Sequence, residues 1–208
     1  MRQILNQRKS FHLLCLIFAV TFVTYLSAKG QQNDSIQFSW KGLHSLLVQY
    51  KKHPSAANAI RIYKFLPNDK STVYSADTTG LDEAFWLANA EAWNVAHFAY
   101  AGKRYAVKLC FKFFTIADGA FSEDLDVILA KLIKINPRLF LEELKAHRYL
   151  FGNTLQNDFQ NFGDAFVDAS DEVLAREDHI HIRALQSVKD SALIHVRDEL
   201  LKVYRGNN

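Results

Sequence analysis

The feature of this chain that most restricts its fold is the scarcity and placement of its helix-breaking residues. Only 3 prolines and 8 glycines occur among 208 residues, and nearly all of them separate segments in which apolar residues recur every three or four positions. Proline and glycine end helices, and this recurrence is the period of a helix with one buried face. The sequence therefore predicts an all-α protein.

The helical segments group into about three antiparallel hairpins with a further helical region behind them. The first helices of the hairpins begin near residues 39, 81 and 122, at intervals of about 42 and 41 residues. This spacing matches that of HEAT and armadillo hairpins, which recur about every 40 to 47 residues. Since no residue-level similarity joins the three units, a compact non-repeating helical bundle fits almost as well. No glycine or proline occurs between Gly163 and Gly206, which predicts one long C-terminal helix, or two helices with a break near Lys189 to Ser191.

Cap-forming residues place several helix starts. The pattern predicts Pro54 as the first residue of the second helix, Thr79 as the start of a capping box for the third, and Ser122 as the cap of the fifth. Asn136, with a proline after it, is expected to open the sixth. Residues 68–80 form a polar connection with no visible helical period.

The first 30 residues have the three parts of a secretory signal peptide. Basic residues begin the segment, an uncharged apolar run covers residues 11–26, and small or polar residues follow it. This run is shorter than the roughly 20 residues that span a membrane, so the sequence favours cleavage after about Gly30 over an uncleaved anchor. We expect an exported protein, periplasmic or extracellular, in which residues 31–208 fold as a single all-helical domain.

Removal of the signal peptide changes the net charge. The whole chain carries 25 Lys and Arg against 22 Asp and Glu, but four of the basic residues and none of the acids lie in residues 1–30, which leaves a net charge of −1. Nucleic-acid-binding proteins use an excess of positive charge, so the sequence argues against that class of partner. The remaining cysteine, Cys110, lies in the apolar stretch KLCFKFF, where a buried thiol is expected.

No strong catalytic or metal-binding motif is present, and no cofactor is expected. The best candidate is AREDHIHIRAL at residues 175–185. In a helix His179 and His181 point about 200° apart, whereas Glu177 and His181 are four residues apart on one face. Two ligands are too few for zinc, which needs three or four. We therefore expect His181 to join the apolar face of its helix, without a metal.

Two stripes are candidates for a partner surface. The third helix carries aromatic residues at intervals of seven, Trp86, Trp93 and Tyr100. The fourth carries basic residues at intervals of four, Arg104, Lys108 and Lys112. The aromatic strip either contacts a partner, because Trp and Tyr dominate interface hot spots, or packs against the next hairpin. The basic stripe is either a solvated face or a site for an acidic partner.

The leading functional hypothesis is an exported helical binding module, without enzymatic activity, whose partner is a protein or a small molecule. Helical arrays present extended surfaces, and the chain offers no catalytic constellation. The first alternative is a metal-dependent or His/carboxylate hydrolase that uses Glu177 and His181. The second is a small-molecule or lipid carrier with a pocket lined by the phenylalanines that follow residue 150. Membrane contact is expected only through an uncleaved N-terminal segment.

Overall fold

The computed structural model describes residues 37–151 and 171–206. Within them the protein is all-helical, as the sequence predicts, and its buried apolar side chains form one core. The α-helices of this part of the chain are α1 (Trp40–Lys52), α2 (Ala56–Phe65), α3 (Lys70–Tyr74), α4 (Leu81–Tyr100), α5 (Arg104–Phe113), α6 (Gly119–Ile135), α7 (Pro137–Ala146), α8 (Asp171–Ser187) and α9 (Ile194–Gly206). None of these helices is both long and apolar enough to cross a membrane. The predicted signal peptide and the phenylalanine-rich connection after Gly152 lie outside the described residues.

The helices stack as hairpins in chain order. The three predicted pairs are α1 with α2, α4 with α5 and α6 with α7, and α8 with α9 adds a fourth. First helices pack on first helices, α1 on α4, α4 on α6 and α6 on α8. Second helices do the same, α2 on α5, α5 on α7 and α7 on α9. Each hairpin thus packs on its neighbours in the chain, which is the layered arrangement of helical-repeat proteins.

The C-terminal region consists of two helices, and the break between them falls at the predicted position. Asp190 lies in the break, where its side chain accepts a hydrogen bond from the amide of Ala192 at 3.0 Å. The same carboxylate lies 3.1 Å from Nη2 of Arg138 on α7. These contacts fix the turn, so that α9 packs on both α8 and α7.

The start of α2 lies two residues after the predicted Pro54, and the N-cap of α4 lies one residue after the predicted Thr79. α2 is capped by Ser55, whose hydroxyl accepts a hydrogen bond at 3.2 Å from the amide three residues later, so Pro54 precedes the helix. α4 follows Gly80, which has a left-handed backbone with φ of 79°. The hydroxyl of Thr79 donates to Asp77 at 3.0 Å and makes no capping bond to α4. The predicted capping box is therefore wrong.

The N-cap of α6 is Asp118, four residues before the predicted cap Ser122, so the helix begins at Gly119. The extra turn brings Phe121 into the helix and buries it completely. Its ring centroid lies 5.5 Å from that of Phe85 and 5.8 Å from that of Phe113. Burial of this large apolar side chain decides the boundary over the cap preference of serine.

Other local features are closer to expectation. Asn136 caps α7, and its side chain accepts a hydrogen bond from the amide of Leu139 at 3.2 Å, as predicted. The polar connection 68–80 contains the short helix α3, which the sequence did not indicate. Asp69 caps it by accepting from the amide of Thr72 at 2.8 Å. One turn is too short for an apolar period to be visible.

Candidate functional site

The exposed face of α4 is determined by the small residues on its buried sides. Close packing of α1, α5 and α6 around the helix is allowed by five buried alanines, Ala84, Ala88, Ala92, Ala96 and Ala99. On the stripe that remains outside, Trp86 exposes 65% and Trp93 exposes 40% of its surface. Tryptophan is mostly buried in folded proteins, so this pair is a candidate contact surface.

The third member of the predicted aromatic strip is placed differently. Tyr100 is half-buried, and its hydroxyl donates a hydrogen bond to the backbone oxygen of Ile128 at 3.3 Å. The ammonium Nζ of Lys131 lies 4.8 Å from the centroid of its ring. Tyr100 thus packs on α6, while Trp86 and Trp93 remain open. Below, these two tryptophans are called the Trp pair.

The predicted basic stripe starts against α7 at Arg104 and ends at Lys112 against α2 and the segments that follow α2 and α7. Arg104 remains partly exposed and forms ion pairs with Glu142 and, at 2.7 Å, with Glu143. Lys108 is half-buried and Lys112 is buried. The expectation of a solvated face is therefore wrong for Lys112, and the acidic partners of Arg104 belong to this chain.

Lys112 is the unusual member of the stripe, since only 1% of its surface is exposed. Its Nζ donates to Oδ1 of Asn68 and lies 3.4 Å from the hydroxyl oxygen of Tyr149, and both partners are neutral. The ring centroids of Tyr63 and Tyr149 each lie 5.6 Å from Nζ, within cation–π range. Burial lowers the pKa of Lys112 to about 8, although the charge of Asp69 opposes the shift.

A second set of buried polar contacts lies beside Lys112. Nδ1 of His147 is 2.8 Å from the backbone oxygen of Glu143 and therefore carries the proton, so Nε2 accepts from the hydroxyl of Tyr63 at 3.0 Å. Burial lowers the pKa of His147. Burial also raises the pKa of the Glu143 carboxyl, and the hydrogen bond from Arg104 opposes this shift.

These residues form what we call the Lys112 cluster. Its members share buried or half-buried polar contacts among α2, α5, α7 and the segments that follow α2 and α7: Tyr63, Asn68, Lys112, Glu143, His147 and Tyr149. The second helices of three successive hairpins are therefore joined by polar contacts as well as by the apolar core. The hydrogen bonds of this network restrict how the three helices can pack, while Oε2 of Glu143 is buried without a hydrogen-bond partner among the described residues.

Glu177 and His181 both face α6, but each is bound to a different group. The carboxylate of Glu177 pairs with Lys134, and Nε2 of His181 donates to the backbone oxygen of Ala130 at 3.1 Å. His181 is fully buried and His179 is exposed, as expected from the helical period. Burial, with the nearby charge of Lys134, lowers the pKa of His181 to about 4. Within the described ranges, no group of three or more His, Cys, Asp or Glu side chains could hold a metal ion.

A cleft of about 600 Å³ lies beside α7 and α9. Its walls combine charged, aromatic and apolar side chains: Lys145, Arg148, Tyr149, Phe151, His195, Val196 and Glu199. Arg148 and Glu199 form an ion pair at 2.7 Å within it. These charged walls differ from the mostly apolar lining that the carrier hypothesis requires. Of the phenylalanines that follow residue 150, Phe151 is the one among the described residues, and it lines this cleft.

Sequence reasoning missed most of the Lys112 cluster. Tyr63 and His147 are 84 residues apart, so no local pattern relates them. The available signal was Lys112 itself, because it has Phe111 before it and Phe113 after it in an apolar stretch. A lysine in such surroundings packs its stem along apolar side chains and usually keeps its charged head in water, so the burial of Nζ itself was not indicated.

Comparison with protein-family models, with curated proteins and with solved structures found no match to this chain.

Proposed function

We propose that this chain is an exported helical binding module that contacts a protein partner through the Trp pair. The observation that carries the proposal is the exposure of two tryptophans, seven residues apart, on one face of a helix held on its other sides by three neighbours. Export is supported by the basic and apolar pattern of residues 1–30.

The energetics of protein interfaces support this choice of residues. Tryptophan is enriched among the few side chains that carry most of the binding energy, and it acts when a partner buries it. The Trp pair already lies on a rigid helix, so binding orders little additional backbone. A partner that covers both rings therefore gains apolar burial at a small entropic cost.

Two observations favour binding over hydrolysis at Glu177 and His181. The carboxylate of Glu177 is paired with Lys134, and the buried ring of His181 is bonded to a backbone oxygen of α6. A general base has to reach a substrate or a water molecule, and His181 is fully buried. Both residues thus stabilise the contact between α8 and α6.

The test is site-specific photo-cross-linking in the cells that make the protein. A photoreactive residue is placed at position 86 or 93, and at position 60 as a control. Ile60 exposes 42% of its surface, close to the value for Trp93, and lies on α2, which packs on α1 and α5. We expect one cross-linked protein at 86 and 93, and none at 60.

The cross-linked protein is then purified and its affinity measured. Trp86→Ala with Trp93→Ala should weaken binding about thirtyfold or more, since loss of even one hot-spot tryptophan costs about 2 kcal/mol or more. Ile60→Ala should leave the affinity unchanged. Equal cross-linking at all three positions, or an unchanged affinity of the double variant, would contradict the proposal.

A further inference from the structure

We propose that the Trp pair receives lysine or arginine side chains from an extended or helical segment of the partner. This inference rests on the proposed function, because it names the chemistry of the partner for the same face. It is argued from a contact within the chain and from the charges around the two tryptophans.

The protein itself supplies a lysine to the third aromatic residue of the strip. Nζ of Lys131 lies 4.8 Å from the ring centroid of Tyr100, a cation–π contact made between α6 and α4. Tryptophan attracts cations more strongly than tyrosine does. In the described part of the chain no cation lies over Trp86 or Trp93, so both rings are open to a cation from outside.

The charges near the Trp pair favour a positive partner. α4 contains acids but no lysine or arginine, and its exposed carboxylates Asp82 and Glu83 lie about one turn before Trp86. The first turns of α6 lie alongside, because the rings of Phe85 and Phe121 are 5.5 Å apart. They carry further acids, of which Glu123 is exposed. A cation over Trp86 is therefore also attracted by carboxylates, of which Asp82 and Glu83 are the nearest along the helix.

The same charges distinguish a basic protein segment from a membrane surface. Tryptophan is also enriched at the lipid interface, but anionic headgroups attract basic residues and repel acidic ones. Asp82 and Glu83 beside Trp86 therefore disfavour an anionic bilayer. A lysine-bearing segment can make cation–π contacts with the rings and is also attracted by the carboxylates.

The spacing of the Trp pair defines the arrangement of cations that fits. Seven residues along a helix span roughly 10 Å, which matches about three residues of a polyproline II segment. Because a polyproline II segment has about three residues per turn, lysines or arginines at positions i and i+3 share one face and can lie over Trp86 and Trp93 at the same time. On a partner helix the matching interval is seven residues.

The experiment uses the purified full chain and short synthetic peptides with lysine at every third position in an alanine and serine background. The matched probe has glutamate at the same positions. Vesicles of phosphatidylcholine, with and without phosphatidylglycerol, test the membrane alternative. The readout is protection of tryptophan fluorescence from acrylamide. Trp40 is buried, so changes in quenching report the Trp pair.

We expect the lysine peptide to protect the fluorescence and the glutamate peptide to have no effect. Affinity, measured by calorimetry, should fall about tenfold in Trp86→Ala with Trp93→Ala, and it should also fall in Asp82→Asn with Glu83→Gln. Glu172→Gln, which removes an exposed acid of α8, is the charge control. Ile60→Ala is the control for surface apolarity. Both controls should bind as the wild type does.

Several results would overturn the inference: no protection by the lysine peptide, equal protection by the glutamate peptide, equal loss of affinity in Glu172→Gln, or protection by vesicles alone. If cross-linking at position 86 identifies a partner while the lysine peptide fails to bind, the inference falls and the proposed function stands. If no partner cross-links at 86 or 93, both fall.

Discussion

Replacement of Lys112 by methionine should change how the stability of the protein depends on pH. Methionine keeps the length and most of the apolar volume of the side chain and removes the amine. The hydrogen bonds that are lost go to Asn68 and Tyr149, which are both exposed, so water can replace the ammonium there. The variant isolates the free energy of keeping an amine in this buried position.

The sign and size of this change in stability follow from the pKa of Lys112 in the folded and unfolded states. Burial lowers the pKa of Lys112 from 10.5 to about 8 in the folded protein. At pH values below 8 both states are protonated, and the folded state bears the cost of the buried ammonium. Between 8 and 10.5 the unfolded chain binds a proton that the folded chain lacks, so stability rises with pH by about 3 kcal/mol. Lys112→Met should lose this rise and be at least as stable as the wild type at neutral pH.

The assay is urea unfolding followed by far-ultraviolet circular dichroism at a series of pH values from neutral to about pH 10.5. Both proteins contain Cys110 and the same tyrosines, so the difference between the two stability curves reports the effect of removing the amine. Lys108→Met, on the same helix, is the control. Parallel curves for the wild type and Lys112→Met would refute the reasoning, because the amine would then titrate alike in both states.

Three further substitutions test other parts of the structure. Burial keeps His181 neutral in the folded protein, so the wild type should lose about 3 kcal/mol of stability as the pH falls from 6.5 toward 4. His181→Leu should not show this loss. Thermal unfolding across this pH range measures the difference, and an identical pH dependence of the two proteins would contradict the prediction. Phe121→Ala should destabilise the protein by about 3 to 5 kcal/mol by opening a cavity between α4, α5 and α6; a loss below about 1 kcal/mol in urea unfolding would show that Phe121 is not buried as described. Asn136→Ala should cost about 1 kcal/mol through loss of the cap of α7, which chemical denaturation can resolve, whereas Asn136→Ser should retain most of the stability.

The sequence predicts those parts of the fold that depend on repeated local signals. A helix of ten or more residues shows its apolar period several times, so the helices of the three hairpins are identifiable without coordinates. The boundary of α6 is different, because Ser122 is a plausible cap and only the burial of Phe121 against Phe85 and Phe113 moves the start to Gly119. Contacts between distant segments decide such boundaries.

For the candidate surfaces too, local patterns predict the face of a helix, and contacts between distant segments decide what is exposed. The period of α4 places Trp86, Trp93 and Tyr100 on one face. It does not show which of them the neighbouring helix covers. Tyr100 is covered because Lys131 and Ile128 of α6 reach it. Likewise, the stripe on α5 could be seen in the sequence, whereas the burial of Lys112 depends on side chains from α2 and from the segment after α7.

The order in which the hairpins stack also determines how the molecule can bend. In the described part of the chain, the substantial contacts join successive layers, so α1 and α2 are linked to α8 and α9 through the hairpins between them. Small rotations at each layer add along such a stack and change its curvature without breaking a helix. The Trp pair lies on a single helix, so it keeps a fixed separation while the stack flexes around it. A partner bound to both rings would therefore meet the same spacing between them at every curvature of the stack.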